Sequence, residues 1–146
     1  AGTQTLKAMG IMNSSSTSTS TSVNSSDLNL LARVVYAEAR GEVYTGQVAI
    51  AAVVLNRVKS SSFPNSIAGV IYQSGAFTAV SDGQINLTPN ETAKKAAQEA
   101  TKKATKENAV KMIKAGKLSI EDIPQFFTSL TPEDIKEIEN ELMQTL

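Results

Sequence analysis

The chain has 146 residues, 41% of them apolar, 19% charged and 5% aromatic, and Lys plus Arg match Asp plus Glu at 14 each. That length suffices for one domain with a real core, and the zero formal charge exerts no long-range pull on nucleic acid or an anionic membrane. The absence of Cys and His excludes disulfides, thiolate chemistry, Ser-His-Asp triads and His-ligated zinc or haem.

Chemistry, if there is any, must therefore come from carboxylates, hydroxyls, Lys, Tyr or backbone dipoles, and no cofactor or metal is expected. No apolar run approaches the roughly 20 residues of a membrane span, so no membrane insertion is expected. No basic segment followed by an apolar stretch opens the chain, so no signal peptide is visible. Residues 13–26 are almost entirely Ser and Thr, with Asn13, Val23 and Asn24 the exceptions. Such a stretch buries too little apolar surface to offset its ordering entropy, so residues 1–26 read as a flexible arm. Leu6, Met9, Ile11 and Met12 are too few to build a core.

Order is expected from Asp27. Ser26 or Asp27 caps a helix that runs to about Arg40, where Gly41 stops it. A second helix starts near Thr45. From Val48 to Val58 it is apolar nearly all round, which predicts the buried centre of a domain. The 59–63 loop ends at Pro64, and 65–73 forms a short helix broken by Ser74-Gly75. Residues 76–87 are predicted irregular or a short hairpin around Asp82-Gly83. Thr88-Pro89-Asn90-Glu91 reads as a helix start with Thr88 as cap. The helix it opens carries Ala93, Ala96, Ala97, Ala100 and Ala104 and runs to Ala115 before Gly116. Two shorter helices follow. Ser119 caps one over 120–129, and Thr131 caps another from Pro132, with Asp134 in the capping-box position. The apolar faces form a helical hairpin, and Phe126, Phe127 and Leu130 call for burial.

Within the first helix, Glu38 is the unusual residue. It interrupts an apolar run of Leu28, Leu30, Leu31, Val34, Val35 and Ala37. Burying a carboxylate is costly unless it is paired or protonated. A carboxyl group partly withdrawn from water holds its proton near neutrality, as a general acid in glycoside cleavage must. The competing explanation is a glutamate satisfied by Arg33 or Arg40. Glu42 is a candidate for substrate contact or for a salt bridge to Arg40 or Arg57. Asp82 is a candidate for substrate contact, although Asp-Gly is more often a turn. Tyr36, Tyr72, Gln73 and Phe77 are candidates for lining a substrate groove. Asn56 and Arg57 read first as capping and ion pairing, then as supports for Glu38.

The run from Asp27 to Glu42, with Tyr36-Ala37-Glu38-Ala39-Arg40-Gly41-Glu42 at its end, closely resembles the catalytic domain of the spore-cortex-lytic cell-wall hydrolases. The resemblance continues through Gly46-Gln47-Val48-Ala49, Ala52-Val53-Val54-Leu55-Asn56-Arg57-Val58 and Phe63-Pro64. It goes on through Ile67-Ala68-Gly69-Val70-Ile71 and Gly75-Ala76-Phe77-Thr78-Ala79-Val80-Ser81-Asp82-Gly83. It is ungapped and covers about half the chain, residues 27–100. It implies a mainly α, α+β lysozyme-like fold with a helical catalytic core, acting as a lytic transglycosylase of peptidoglycan, with Glu38 as the catalytic acid. It also implies action outside the cell, in the wall or spore cortex, with glycan strands as the partner. The family continues with an aromatic-rich segment, whereas residues 101–146 here form a charged helical tail expected to pack into the space that segment leaves. A catalytically impaired scaffold, with the tail binding an unidentified partner, is the alternative reading. A DNA-reading role for the tail hairpin is rejected, because Glu133, Asp134, Glu137, Glu139 and Glu141 oppose a single Lys136 and would repel phosphate.

Overall fold

The computed structural model describes residues 23–144. The expected flexible arm therefore lies outside the described residues up to position 22. Among the described residues the chain is helical, without strands, as a mainly α lysozyme-like fold requires.

Helix α1 spans Ser25–Ala39. Its cap is Asn24, not Ser26 or Asp27, and the Asn24 side chain accepts from the Asp27 amide at 2.8 Å. Three polar residues in a row can each cap, and capping at Asn24 extends the helix by two residues over a cap at Ser26. Leu31, Ala32, Val34, Val35 and Ala39 form the buried face. Arg40 leaves helical geometry and Gly41 turns the chain at φ +90°, a conformation that favours glycine.

Helix α2, Tyr44–Lys59, buries only Gln47, Ala51, Val54 and Leu55. The expectation of burial all round is corrected here, since Val53 is 40% exposed. Neighbouring helices cover one face of α2 and leave the other to water. Helix α3 is Ile67–Ile71, with Ser66 accepting from the Gly69 amide at 2.9 Å. Residues 76–87 take the irregular alternative. A four-residue helix α4, Thr78–Ser81, is followed by a left-handed Gly83 and a 3-10 turn at Gln84–Asn86.

Helix α5 is the long element, Glu91–Lys114. Its cap is Asn90, whose side chain accepts from the Ala93 amide at 2.8 Å, so the start lies two residues beyond the expected Thr88. The alanine face of its first half packs against α1 and α2 in one core, with Leu31, Val34, Val35, Val54, Val70 and Ile71. Its second half belongs to another cluster, in which Ala109 and Val110 meet Leu118, Ile123, Phe127, Leu130 and Ile138. Gly116, at φ +74°, ends the helix as expected.

The tail then makes a 3-10 turn at Ile120–Asp122, a short α6 at Ile123–Phe126 and α7 at Pro132–Gln144. The expected helix over 120–129 is thus shorter and broken in two. The Ser119–Asp122 and Thr131–Asp134 capping boxes both form. Phe127 and Leu130 are buried, but Phe126 is 62% exposed, which corrects the expectation that all three are covered. Phe127 turns into the cluster of Ile123, Leu130 and Ile138, and Phe126 turns to water.

Candidate active site

Glu38 sits in the last turn of α1, four residues after Val34 and three after Val35. Helical spacing puts it at the edge of the buried face, and it is half-buried. Its Oε2 accepts from the Ala79 backbone N–H at 3.0 Å. Ala79 is the second residue of α4, whose cap position is filled by Phe77, a side chain that cannot accept a hydrogen bond. The carboxylate of Glu38 supplies that missing acceptor from another helix, satisfying an amide that a helix start otherwise leaves unpaired. The bond fixes one oxygen and leaves Oε1 for other work. Neither Arg33 nor Arg40 pairs with Glu38 among the described residues.

Arg40 is used elsewhere. Its guanidinium lies over the Tyr36 ring at 5.0 Å and its Nη2 donates to Gln84 Oε1. Gln84 is held in turn by Asp82, whose Oδ1 accepts from the Gln84 backbone N–H and Oδ2 from Nε2, each at 3.0 Å. Asp82 therefore orders the turn at Gly83 and fixes Gln84. Arg57 likewise makes no ion pair with Glu42 or Glu38 among the described residues. Its guanidinium stands 5.0 Å from the Phe63 ring and 5.8 Å from the Phe77 ring, so it braces the residue that precedes α4.

The other candidates spread around this point. Tyr36 is half-buried, one turn before Arg40 on the helix of Glu38. Phe77 is half-buried against the core. Tyr72 is 49% exposed at the end of α3, and Gln73 beside it is exposed. Glu42 is exposed just past Gly41, and its carbonyl accepts from the buried Gln47 side chain at 3.1 Å. No described group of three His, Cys, Asp or Glu side chains gathers to hold a metal ion. A groove of about 520 Å³ lies elsewhere, lined by Asn56, Lys59, Glu107, Lys111 and Glu141 among others. Asn56 thus faces that groove. The amide of Ala79 and the side chain of Gln84 are the participants that no sequence signal marks.

A family model described as Cell Wall Hydrolase matches residues 41–141. That span begins at Gly41, just past Glu38. The spore cortex-lytic enzyme of Bacillus cereus is 66% identical over 74 residues, 51% of this chain and 29% of that protein. Its counterpart in Bacillus subtilis (strain 168) is 62% identical over 77 residues, 53% of this chain and 25% of that protein. The chain therefore spans under a third of the length of these curated relatives. The crystal structure of the catalytic domain of Bacillus cereus SleB is similar at a TM-score of 0.53 and 61% identity, covering 55% of this chain and 62% of that one. The catalytic domain of the germination-specific lytic transglycosylase SleB from Bacillus anthracis gives a TM-score of 0.50 and 62% identity, over 53% and 63% of the two chains.

Proposed function

This chain belongs to the cell wall hydrolase family, and from that membership we propose that it cleaves the glycan strands of peptidoglycan, with Glu38 as the acid. The reaction is lytic transglycosylation at the link from N-acetylmuramic acid to N-acetylglucosamine, in spore cortex or cell wall. The observation that carries it is the state of Glu38. Its carboxyl is half-buried, free of any cationic partner among the described residues, and anchored through one oxygen on the Ala79 amide.

The protonated carboxyl donates to the glycosidic oxygen as the C1–O bond breaks through an oxocarbenium-like state. Most glycosidases need a second carboxylate to activate water or to attack the sugar. Asp82 is a poor choice for that role, because both of its oxygens are taken by Gln84. The muramic 6-hydroxyl instead closes onto C1, and the ionised Glu38 takes its proton. The sugar retains both halves of the new bond, so the product is a 1,6-anhydro end, and the intramolecular attack lowers the entropic cost. Tyr36, Tyr72, Gln73, Phe77 and Glu42 are the proposed groove contacts.

The test is digestion of purified cortex peptidoglycan by the chain and by Glu38→Gln, with products resolved by mass spectrometry. The glutamine carbonyl still accepts from Ala79, so the fold is retained while the acid is lost. Anhydro-muropeptides should fall by about 10²- to 10⁴-fold in the variant, the range for loss of a general acid. Ordinary reducing ends from the parent would mean hydrolysis with a second carboxylate. No product from a folded parent would leave the scaffold reading.

A further inference from the structure

Two connections tie the 77–86 segment to the end of α1. The first is Ala79 N–H to Glu38, across 41 positions of sequence. The second is the chain Arg40 to Gln84 to Asp82. We propose that Arg40, Gln84 and Asp82 act as a positioning strap, holding α4 against α1 so that its Ala79 amide orients the Glu38 carboxyl.

The polarity of the chain makes the strap directional. Arg40 has only donors to offer, so Gln84 must present its carbonyl oxygen. That leaves the Gln84 amide nitrogen pointing the other way, where Asp82 accepts from it at 3.0 Å. The second Asp82 oxygen takes the Gln84 backbone N–H at 3.0 Å. The side chain is thus fixed at both ends, and the left-handed Gly83 between them supplies the tight turn. Arg40 is itself settled on the Tyr36 ring and follows Glu38 by two residues. The strap closes between the helix that carries the acid and the segment that carries its acceptor amide. Helix α4 has only four residues and no side-chain cap of its own. A helix that short does not hold itself in place, and its orientation depends on these ties and on the burial of Ala79 and Ile85. None of the three strap residues has to touch the sugar. Their effect reaches it through Glu38, a role that rests on the function proposed above.

The acceptor–donor order gives the test its form. Asp82→Asn places an amide nitrogen against the Gln84 amide nitrogen, and Gln84→Glu places a carboxylate against the Asp82 carboxylate. Each single change breaks the side-chain link between positions 82 and 84, and so the hold of the turn on the strap, with almost no change of shape, while position 84 keeps an oxygen for Arg40. Together they restore it, because the introduced amide donates to the introduced carboxylate, whose other oxygen still accepts from Arg40. Hydrogen exchange of the Ala79 amide is measured by NMR in the full chain and compared with the core amide of Val54. Exchange at Ala79 should quicken about three- to tenfold relative to Val54 in each single variant, the range for loss of one hydrogen bond, and return in the double variant. On peptidoglycan, kcat should fall in the single variants with KM held, and recover in the double.

The strap is refuted if Ala79 moves only in step with Val54, or if the double variant fails to restore it. A raised KM in both Asp82→Asn and the double variant would instead make Asp82 a sugar contact and overturn the proposal. If the parent cleaves nothing, the exchange measurement alone decides the strap, and only the enzymatic reading fails.

Discussion

Asp134→Ala should loosen the tail from the long helix by an amount that follows from its contacts. Asp134 is 6% exposed, and one carboxylate oxygen accepts from the Thr131 backbone N–H at 2.9 Å. Its own amide donates to the Thr131 hydroxyl at 3.1 Å. Lys102 approaches to 3.1 Å and Lys106 to 3.8 Å, both from α5. Losing the cap interaction costs about 1 kcal/mol. The Lys102 side chain is 43% exposed, so its pair contributes no more than about 1 kcal/mol after screening by water. Lys106 keeps Glu137 at 2.6 Å and adds little to the loss. The sum is about 2 kcal/mol, or roughly 8 °C in Tm for a domain of this size. Thermal unfolding followed by helical circular dichroism reads it directly. Desolvation pushes the Asp134 carboxyl up, but the Thr131 N–H, Lys102 and the Thr131 hydroxyl together outweigh it, and the net direction is below the ordinary 3.8. A lowered folded value means the ionised form is favoured by folding. The stabilisation is therefore complete above 3.8 and drains away as pH falls through the lower folded value. The gap between parent and variant should be full at neutral pH and close in acid. A gap under about 2 °C at neutral pH, or one that widens in acid, would refute the assignment of this carboxylate as the tail's anchor.

Two further substitutions probe the packing around the site. Gly69→Ala should destabilise by about 1–3 kcal/mol despite the better helix former, because the added carbon would meet the Pro64 ring and the Ser66 hydroxyl, each at 2.8 Å; a denaturant midpoint equal to the parent's would contradict it. Ala96→Leu should cost about 1–3 kcal/mol by overpacking, since Ala96 is 0% exposed between α5 and the other core helices; an unchanged Tm would mean the alanine face is not tightly packed.

Local chemistry made parts of this structure readable in advance. Gly41 and Gly116 end their helices because each takes a positive φ that other residues resist. The Thr131-Pro132-Asp134 start was legible because cap, proline and reciprocal acceptor lie within one turn. Glu38 stood out as a carboxylate in an apolar run, and the described structure finds it half-buried. What could not be read was which of several equivalent caps is used. Asn24 lies beside Ser25 and Ser26, and Asn90 beside Thr88, and the choice depends on packing beyond the local pattern. Nor could the partners of Glu38 and Arg40 be read. Ala79 and Gln84 lie 41 and 44 residues away, and neither a backbone amide nor a lone glutamine carries a signature. The arginines misled for the same reason. Opposite charge suggested ion pairs with Glu38 or Glu42, while tertiary packing put Arg57 on aromatic rings and Arg40 on Tyr36 and Gln84.

Helix α5 connects the two halves of this chain physically. Its 24 residues run about 36 Å at helical rise. Ala93, Ala96, Ala97 and Ala100 face the core that includes the helix of Glu38, while Ala109 and Val110 face the tail. Small side chains in the first half let α1 and α2 approach closely, and that contact does not depend on which residues follow. The tail adds Lys102 and Lys106 pairs to Asp134 and a hydrophobic cluster of its own. None of these reaches the Glu38–Ala79 bond or the Arg40–Gln84–Asp82 chain. Glu38 and its contacts therefore depend on α1, α2 and the 77–86 segment, and the tail meets that half through α5 and across the groove where Glu141 faces Asn56 and Lys59. Damage to the Asp134 anchor should lower thermal stability first and leave the orientation of the Glu38 carboxyl unchanged as long as the first half of α5 stays folded.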